Sequence, residues 1–94
     1  MWQGLNTHEV KVTVTNEHGL HARPVTEFVQ LANRFQSKVE VVKGDLTVDG
    51  KSVAAMLTLG AGPGTVLRIR ARGTDAAQAV KKLVALISSS FAQG

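Results

Sequence analysis

The chain has 94 residues, 44% of them hydrophobic, and a formal charge of +4 with a pI near 10.0. That length and composition suit a single domain over residues 1–94 and exclude a disordered chain. The absence of cysteine excludes a disulfide framework and a thiolate metal site. No apolar run nears the roughly 20 residues that span a bilayer, and Met1–His8 lack the layout of a signal peptide, so a cytoplasmic protein is expected.

Residues 1–8 read as an N-terminal tail. Val10, Val12 and Val14 then alternate with Lys11, Thr13 and Thr15, the pattern of a half-buried strand. Asn16–Gly19 break it. Val25, Phe28, Val29, Ala32 and Phe35 recur at helical spacing, and Pro24 is tolerable only in a first turn, so the helix begins near His21 or Ala22. Val39 and Val41, with Lys43 continuing the alternation, then a Gly44-Asp45 turn, then Leu46 and Val48, predict a hairpin. Ser52 is a good N-cap for a short helix carrying Val53, Met56 and Leu57, which are core candidates or, where exposed, a docking patch. Gly60-Ala61-Gly62-Pro63-Gly64 precedes a strand instead of opening a helix, so it reads as a turn and not as a phosphate-binding loop. Leu67, Ile69 and Ala71 share one face of the fourth strand. Thr74 caps a last helix whose stripe is Ala76, Ala79, Val80, Leu83, Val84, Ile87 and Phe91, with Asp75 near its positive end. The order β-α-β-β-α-β-α predicts an α+β open-faced two-layer sandwich. Its four-stranded antiparallel sheet has one wet face and one face covered by three helices.

The stretch that carries chemistry is Gly19-Leu20-His21-Ala22-Arg23-Pro24. An imidazole is nucleophilic near neutral pH because its ordinary pKa is about 6.5. A helix start offers unpaired N–H groups and a partial positive charge to an anion. Arg23 adds a planar cation that can fork onto phosphate oxygens. A phosphoryl group on His21 would be held by the backbone amides of Ala22 and Arg23 and by the Arg23 side chain. There is no carboxylate pair placed for acid–base work, no metal cluster and no Walker loop. No cofactor is expected, and the phosphoryl donor should be a phosphorylated protein.

These six residues resemble the active-site signature of HPr, the histidine-containing phosphocarrier family of the phosphoenolpyruvate-dependent sugar phosphotransferase system. The likeness runs from about Val10 to Phe91 and includes Asp49-Gly50-Lys51-Ser52 and Leu57-Thr58-Leu59-Gly60. The resemblance implies that His21 is phosphorylated on Nδ1 and that Arg23 contacts the phosphate. It implies enzyme I as donor and enzyme IIA domains as acceptors. The chain would be a transfer intermediate carrying a transient phosphohistidine, not a turnover enzyme. Ser52 aligns with the family's regulatory serine, the target of an HPr kinase/phosphorylase. A phosphate there would add close to two negative charges at a helix start, although Ser52 also reads as a plain N-cap. Ala54-Ala55 stand where members with the kinase commonly have methionine and glycine, and Val25 replaces the usual alanine.

Two other readings stay in view. A regulatory module of the same fold would act through Ser52. A small nucleic-acid binder would use the row Arg68, Arg70 and Arg72, but the four aromatic residues, Trp2, Phe28, Phe35 and Phe91, offer few stacking platforms. His18 and His21 lack a third ligand, so no metal is expected. Neither nucleic acid nor membrane is expected as a partner, and the chain is expected to be a monomer.

Overall fold

The structure is a computed structural model that describes residues 6–15, 17, 19–20 and 22–90. The elements are strand β1 (Thr7–Thr13), helix α1 (Ala22–Ala32), strands β2 (Lys38–Lys43) and β3 (Leu46–Asp49), helix α2 (Val53–Leu57), strand β4 (Val66–Arg72) and helix α3 (Ala76–Ala85). The last helix runs on into a wider, π-type turn, Leu86–Ser90. The sheet order is β1-β4-β2-β3, antiparallel at every pairing. This is the open-faced sandwich read from the periodicity.

The register explains the core. Ile69 lies between Val10 and Val41, and Ala71 between His8 and Val39, so alternate residues of β4 line the helix side. Leu67, Ile69 and Ala71 are completely buried there, under Val25, Phe28, Ala32, Ala79 and Leu83 from α1 and α3. Burying Phe28 alone is worth on the order of 2–3 kcal/mol relative to leaving it exposed. Gly50 ends β3 against this core. Its N–H donates to Val39 O at 2.8 Å, and a Cβ there would sit 2.6 Å from Val39 Cγ1 and 3.3 Å from Phe28 Cε1.

Several expectations need correction. Thr7 and His8 pair with Arg72 and Ala71, so β1 begins inside the segment read as a tail. Val10 is 43% exposed, because β1 is an edge strand. A groove of about 330 Å³ separates it from Ala77, Val80 and Val84 of α3. Phe35 falls beyond the end of α1 and packs on the core only partly buried. Val42 is buried on the wet face of the sheet, where Arg68 and Thr47 are its cross-strand neighbours. An arginine stem readily covers an apolar neighbour in that way.

The cap of α3 is also displaced: Asp75, not Thr74, occupies the N-cap position, and it makes no side-chain cap bond. Its carboxylate instead accepts the Gln36 N–H (2.9 Å), the Ser37 N–H (2.9 Å) and the Ser37 hydroxyl (2.5 Å). The Ser37 hydroxyl, then the Gln36 amide, hold the Asp75 carboxyl below its ordinary value. Ser37 is itself buried, and Gly73 lies so close that a Cβ would meet its Oγ at 2.6 Å. These contacts tie the start of α3 to the entry of β2. Phe91, the last residue of the expected stripe, lies outside the described residues.

Candidate functional site

Two loops meet at the start of α1. Where β1 ends, Val14 is fully buried and exchanges a pair of backbone bonds with the other loop: its N–H donates to Thr65 O (2.8 Å), and the Gly64 N–H donates to Val14 O (2.8 Å). Gly19 takes a positive φ of 72°. A Cβ there would run into the Ala61 carbonyl oxygen and lie 2.8 Å from Gly62 Cα, so both the dihedral and the space require glycine. Leu20 is buried, and its N–H donates to Ala61 O at 2.8 Å. The loop 60–65, read from sequence as only a turn, is therefore the wall that carries the residue before His21. His21 itself and His18 lie outside the described residues.

From Leu20 the chain passes through His21 into α1. Ala22 and Arg23 are its first two residues and both are exposed. The opening N–H groups of a helix have no intrahelical acceptor, and Pro24 has no N–H at all. Ala22 and Arg23 are thus the described residues whose amides are left at this terminus. The Thr26 hydroxyl donates to Ala22 O at 2.9 Å and braces the same turn. An exposed arginine in the first turn of a helix suits an anion held shallowly and released again.

Ser52 is at the start of the neighbouring helix. It is the N-cap of α2, accepting the Ala55 N–H at 3.1 Å. The preceding carbonyl, Lys51 O, accepts from Asn33 Nδ2 at 3.3 Å. Asn33 is ten residues along from Arg23, about 15 Å of helical rise. The structure therefore ties Ser52 to the far end of α1, away from Arg23. Within α2 only Met56 is buried; Val53 and Leu57 are 39% and 46% exposed, so they are surface and not core. Among the described residues this is an apolar surface of the kind that docks a partner.

The arginine row is divided by acids. Arg70 donates from Nε to Glu9 Oε1 at 2.9 Å and from an η nitrogen to Glu40 Oε1 at 3.3 Å. The bond to Glu9 raises the Arg70 pKa above its usual value. Arg68 approaches Glu9 at 3.9 Å, and Lys38 approaches Glu40 at 3.8 Å. A face whose central cation lies between two carboxylates is a poor phosphate track, and the nucleic-acid reading loses its support.

Comparison with known proteins agrees with this geometry. The family model for the PTS HPr component phosphorylation site matches residues 8–89. The phosphocarrier protein HPr of Neisseria meningitidis serogroup A is 40% identical over 83 residues, covering 88% of this chain and 93% of its own. A crystal structure of HPr from Thermoanaerobacter tengcongensis superposes with a TM-score of 0.86 at 42% identity, covering 89% of this chain and 94% of that one. Crh of Bacillus subtilis, described as a domain-swapped dimer, gives a TM-score of 0.71 at 39% identity over 82% of this chain and 88% of its own. With the fold and nearly the whole length matched, the chain belongs to the HPr family, the phosphocarriers of the phosphotransferase system.

Proposed function

We propose that this chain acts as one phosphocarrier domain that takes a phosphoryl group from phosphorylated enzyme I onto Nδ1 of His21 and passes it to enzyme IIA domains. The observation that carries the reading is the Gly19–Pro24 signature at the start of α1, with Leu20 pinned to Ala61 and Arg23 exposed beside it. The lone pair of the neutral Nδ1 attacks phosphorus. The N–P bond forms as the donor's bond to phosphorus breaks, and the leaving group keeps that bond's electron pair. The other ring nitrogen keeps its proton. Ala22 and Arg23 amides and the Arg23 guanidinium then face the phosphoryl oxygens. The reverse displacement at an acceptor restores the free imidazole.

Val53 and Leu57 supply an apolar docking surface close in sequence to Ser52. A phosphate on Ser52, placed by an HPr kinase/phosphorylase, would put close to two negative charges beside that surface and oppose the binding of an acidic partner. The chain works in the cytoplasm and as a monomer in this reading; its mass in solution checks the second point against the dimers known among relatives. No helix among the described residues is long and apolar enough to cross a membrane.

Incubation with enzyme I and phosphoenolpyruvate, followed by intact-mass analysis, tests the proposal. One acid-labile phosphate, absent in His21→Ala, is the expected result. Unchanged phosphate uptake by His21→Ala would refute it.

A further inference from the structure

We propose that Lys43 is a positioning residue for the phosphorylation site, acting through the loop 60–65. The inference rests on the carrier reading above and adds to it a residue outside the signature.

Lys43 is the last residue of β2, next to the Gly44 turn, and is half-buried. Its ammonium donates to Leu59 O at 2.7 Å and reaches Gly60 O at 3.5 Å. Leu59 is buried, with 1% of its surface exposed, at the exit of α2. One residue beyond Gly60 is Ala61, whose carbonyl accepts the Leu20 N–H at 2.8 Å and whose backbone faces Gly19. The loop is anchored at its other end by the paired backbone bonds between Val14 and Gly64 and Thr65. It is thus held on one side by β1 and on the other by the Lys43 ammonium together with the buried side chains of Leu59 and Ala61, and Leu20 hangs from its middle. Leu20 immediately precedes His21 in the chain, so the Ala61 carbonyl fixes the backbone from which the signature continues into α1.

The bond from Lys43 to Leu59 O is charge-assisted and part-buried, the stronger kind, whereas the reach to Gly60 O is long and exposed. Removing the ammonium leaves the Leu59 carbonyl without its donor, while the Val14 anchor remains. The loop then keeps its course but loses definition at Gly60, where φ is +58° and there is no side chain to fix the backbone, while the buried Ala61 side chain still seats the next residue. Small displacements of a reacting group cost rate steeply, up to about 100-fold for 1 Å.

The variants Lys43→Met, which keeps the stem and removes the donor, and Lys43→Arg, which restores one, separate positioning from simple stability. Three quantities are read: amide hydrogen exchange at Leu20, kcat/KM for phosphorylation by enzyme I, and the urea midpoint. Lys43→Met is expected to speed Leu20 exchange about tenfold beyond the change at core amides such as Ile69. It should lower kcat/KM by about three- to tenfold, and Lys43→Arg should recover most of both. Leu20 exchange that changes only in step with Ile69, or a kcat/KM within twofold of the parent chain, overturns the proposal. A parent chain that takes up no phosphate from a competent enzyme I refutes the carrier reading itself, an outcome distinct from a competent parent with an unaffected Lys43→Met.

Discussion

Gly19 and Gly44 allow the site's backbone geometry to be weighed by subtraction. Both take positive φ, +72° and +56°, and an L side chain in that region costs about 1–2 kcal/mol. They differ in their surroundings: a Cβ at Gly44 meets nothing within 4 Å, whereas at Gly19 it meets the backbone of Ala61 and Gly62. Backbone cannot rotate away as a side-chain tip can, so Gly19→Ala adds an overpacking cost of about 1–3 kcal/mol. The expected losses are about 1 kcal/mol for Gly44→Ala and about 3 kcal/mol for Gly19→Ala. For a domain of this size the latter lowers Tm by about 12–24 °C, at ~4–8 °C per kcal/mol. Urea unfolding followed by far-UV circular dichroism measures both, with the slope m checked for constancy. Losses that agree within about 0.5 kcal/mol would show that the two loops do not touch as described, and the wall that holds Gly19 and Leu20 would have to be abandoned.

Three further outcomes follow from other contacts. Gly50→Ala should destabilise by about 1–3 kcal/mol through Val39 and Phe28; in a double-mutant cycle, Val39→Ala should relieve part of that cost, and strict additivity of the two would contradict the packing. Asp75 has a folded pKa below its ordinary 3.8, held down first by the Ser37 hydroxyl, so its contribution is complete above about pH 4 and is lost as pH falls through the folded value. The stability gap between the parent chain and Asp75→Asn, about 1–3 kcal/mol at pH 7, should therefore shrink between pH 4 and 2, and a gap constant with pH would exclude that linkage. Met56→Ala should cost about 2–5 kcal/mol, while Leu57→Ala should cost less than about 0.5 kcal/mol and instead raise KM for the phosphorylated donor; a large loss of stability in Leu57→Ala with unchanged KM would return Leu57 to the core.

Local signals in the sequence reached as far as local physics does. The start of α1 was legible because Pro24 restricts where a helix can begin, and the cap of α2 because Ser52 precedes its first turn and bonds Ala55 within it. The β2–β3 hairpin was legible from Gly44, which takes the positive φ its turn requires. Where the outcome depended on a distant partner, the sequence was silent. Thr74 and Asp75 are both good caps. The carboxylate was drawn instead to Gln36 and Ser37, 39 and 38 residues away, and no spacing announces that. Alternation cannot tell an edge strand from a central one, so Val10 looked as buried as Val12. A helix of five residues is too short for its apolar positions to define a face, which left Val53 and Leu57 undecided. Lys43 continued a strand pattern, and its acceptor, Leu59 O, lies 16 residues on.

The charge of the chain is explained by the same long-range contacts. Its pI near 10.0 suggests a polyanion-binding surface, yet the cations serve different ends. Lys43 and Lys51 reach backbone carbonyls at 2.7 Å, at Leu59 and Phe35. Arg70 is held between Glu9 and Glu40 on the open face of the sheet. Arg23, by contrast, stands exposed at the start of α1. In the proposed carrier the excess positive charge would act at long range, drawing acidic partners and raising association rates without adding buried contacts that would slow release. A carrier that must meet a donor and an acceptor in turn gains from fast encounter and loses from tight binding. In the proposed carrier, an exposed arginine at the start of α1 and a modest net positive charge would meet both demands, whereas an enclosed, many-pronged phosphate pocket would meet only the first.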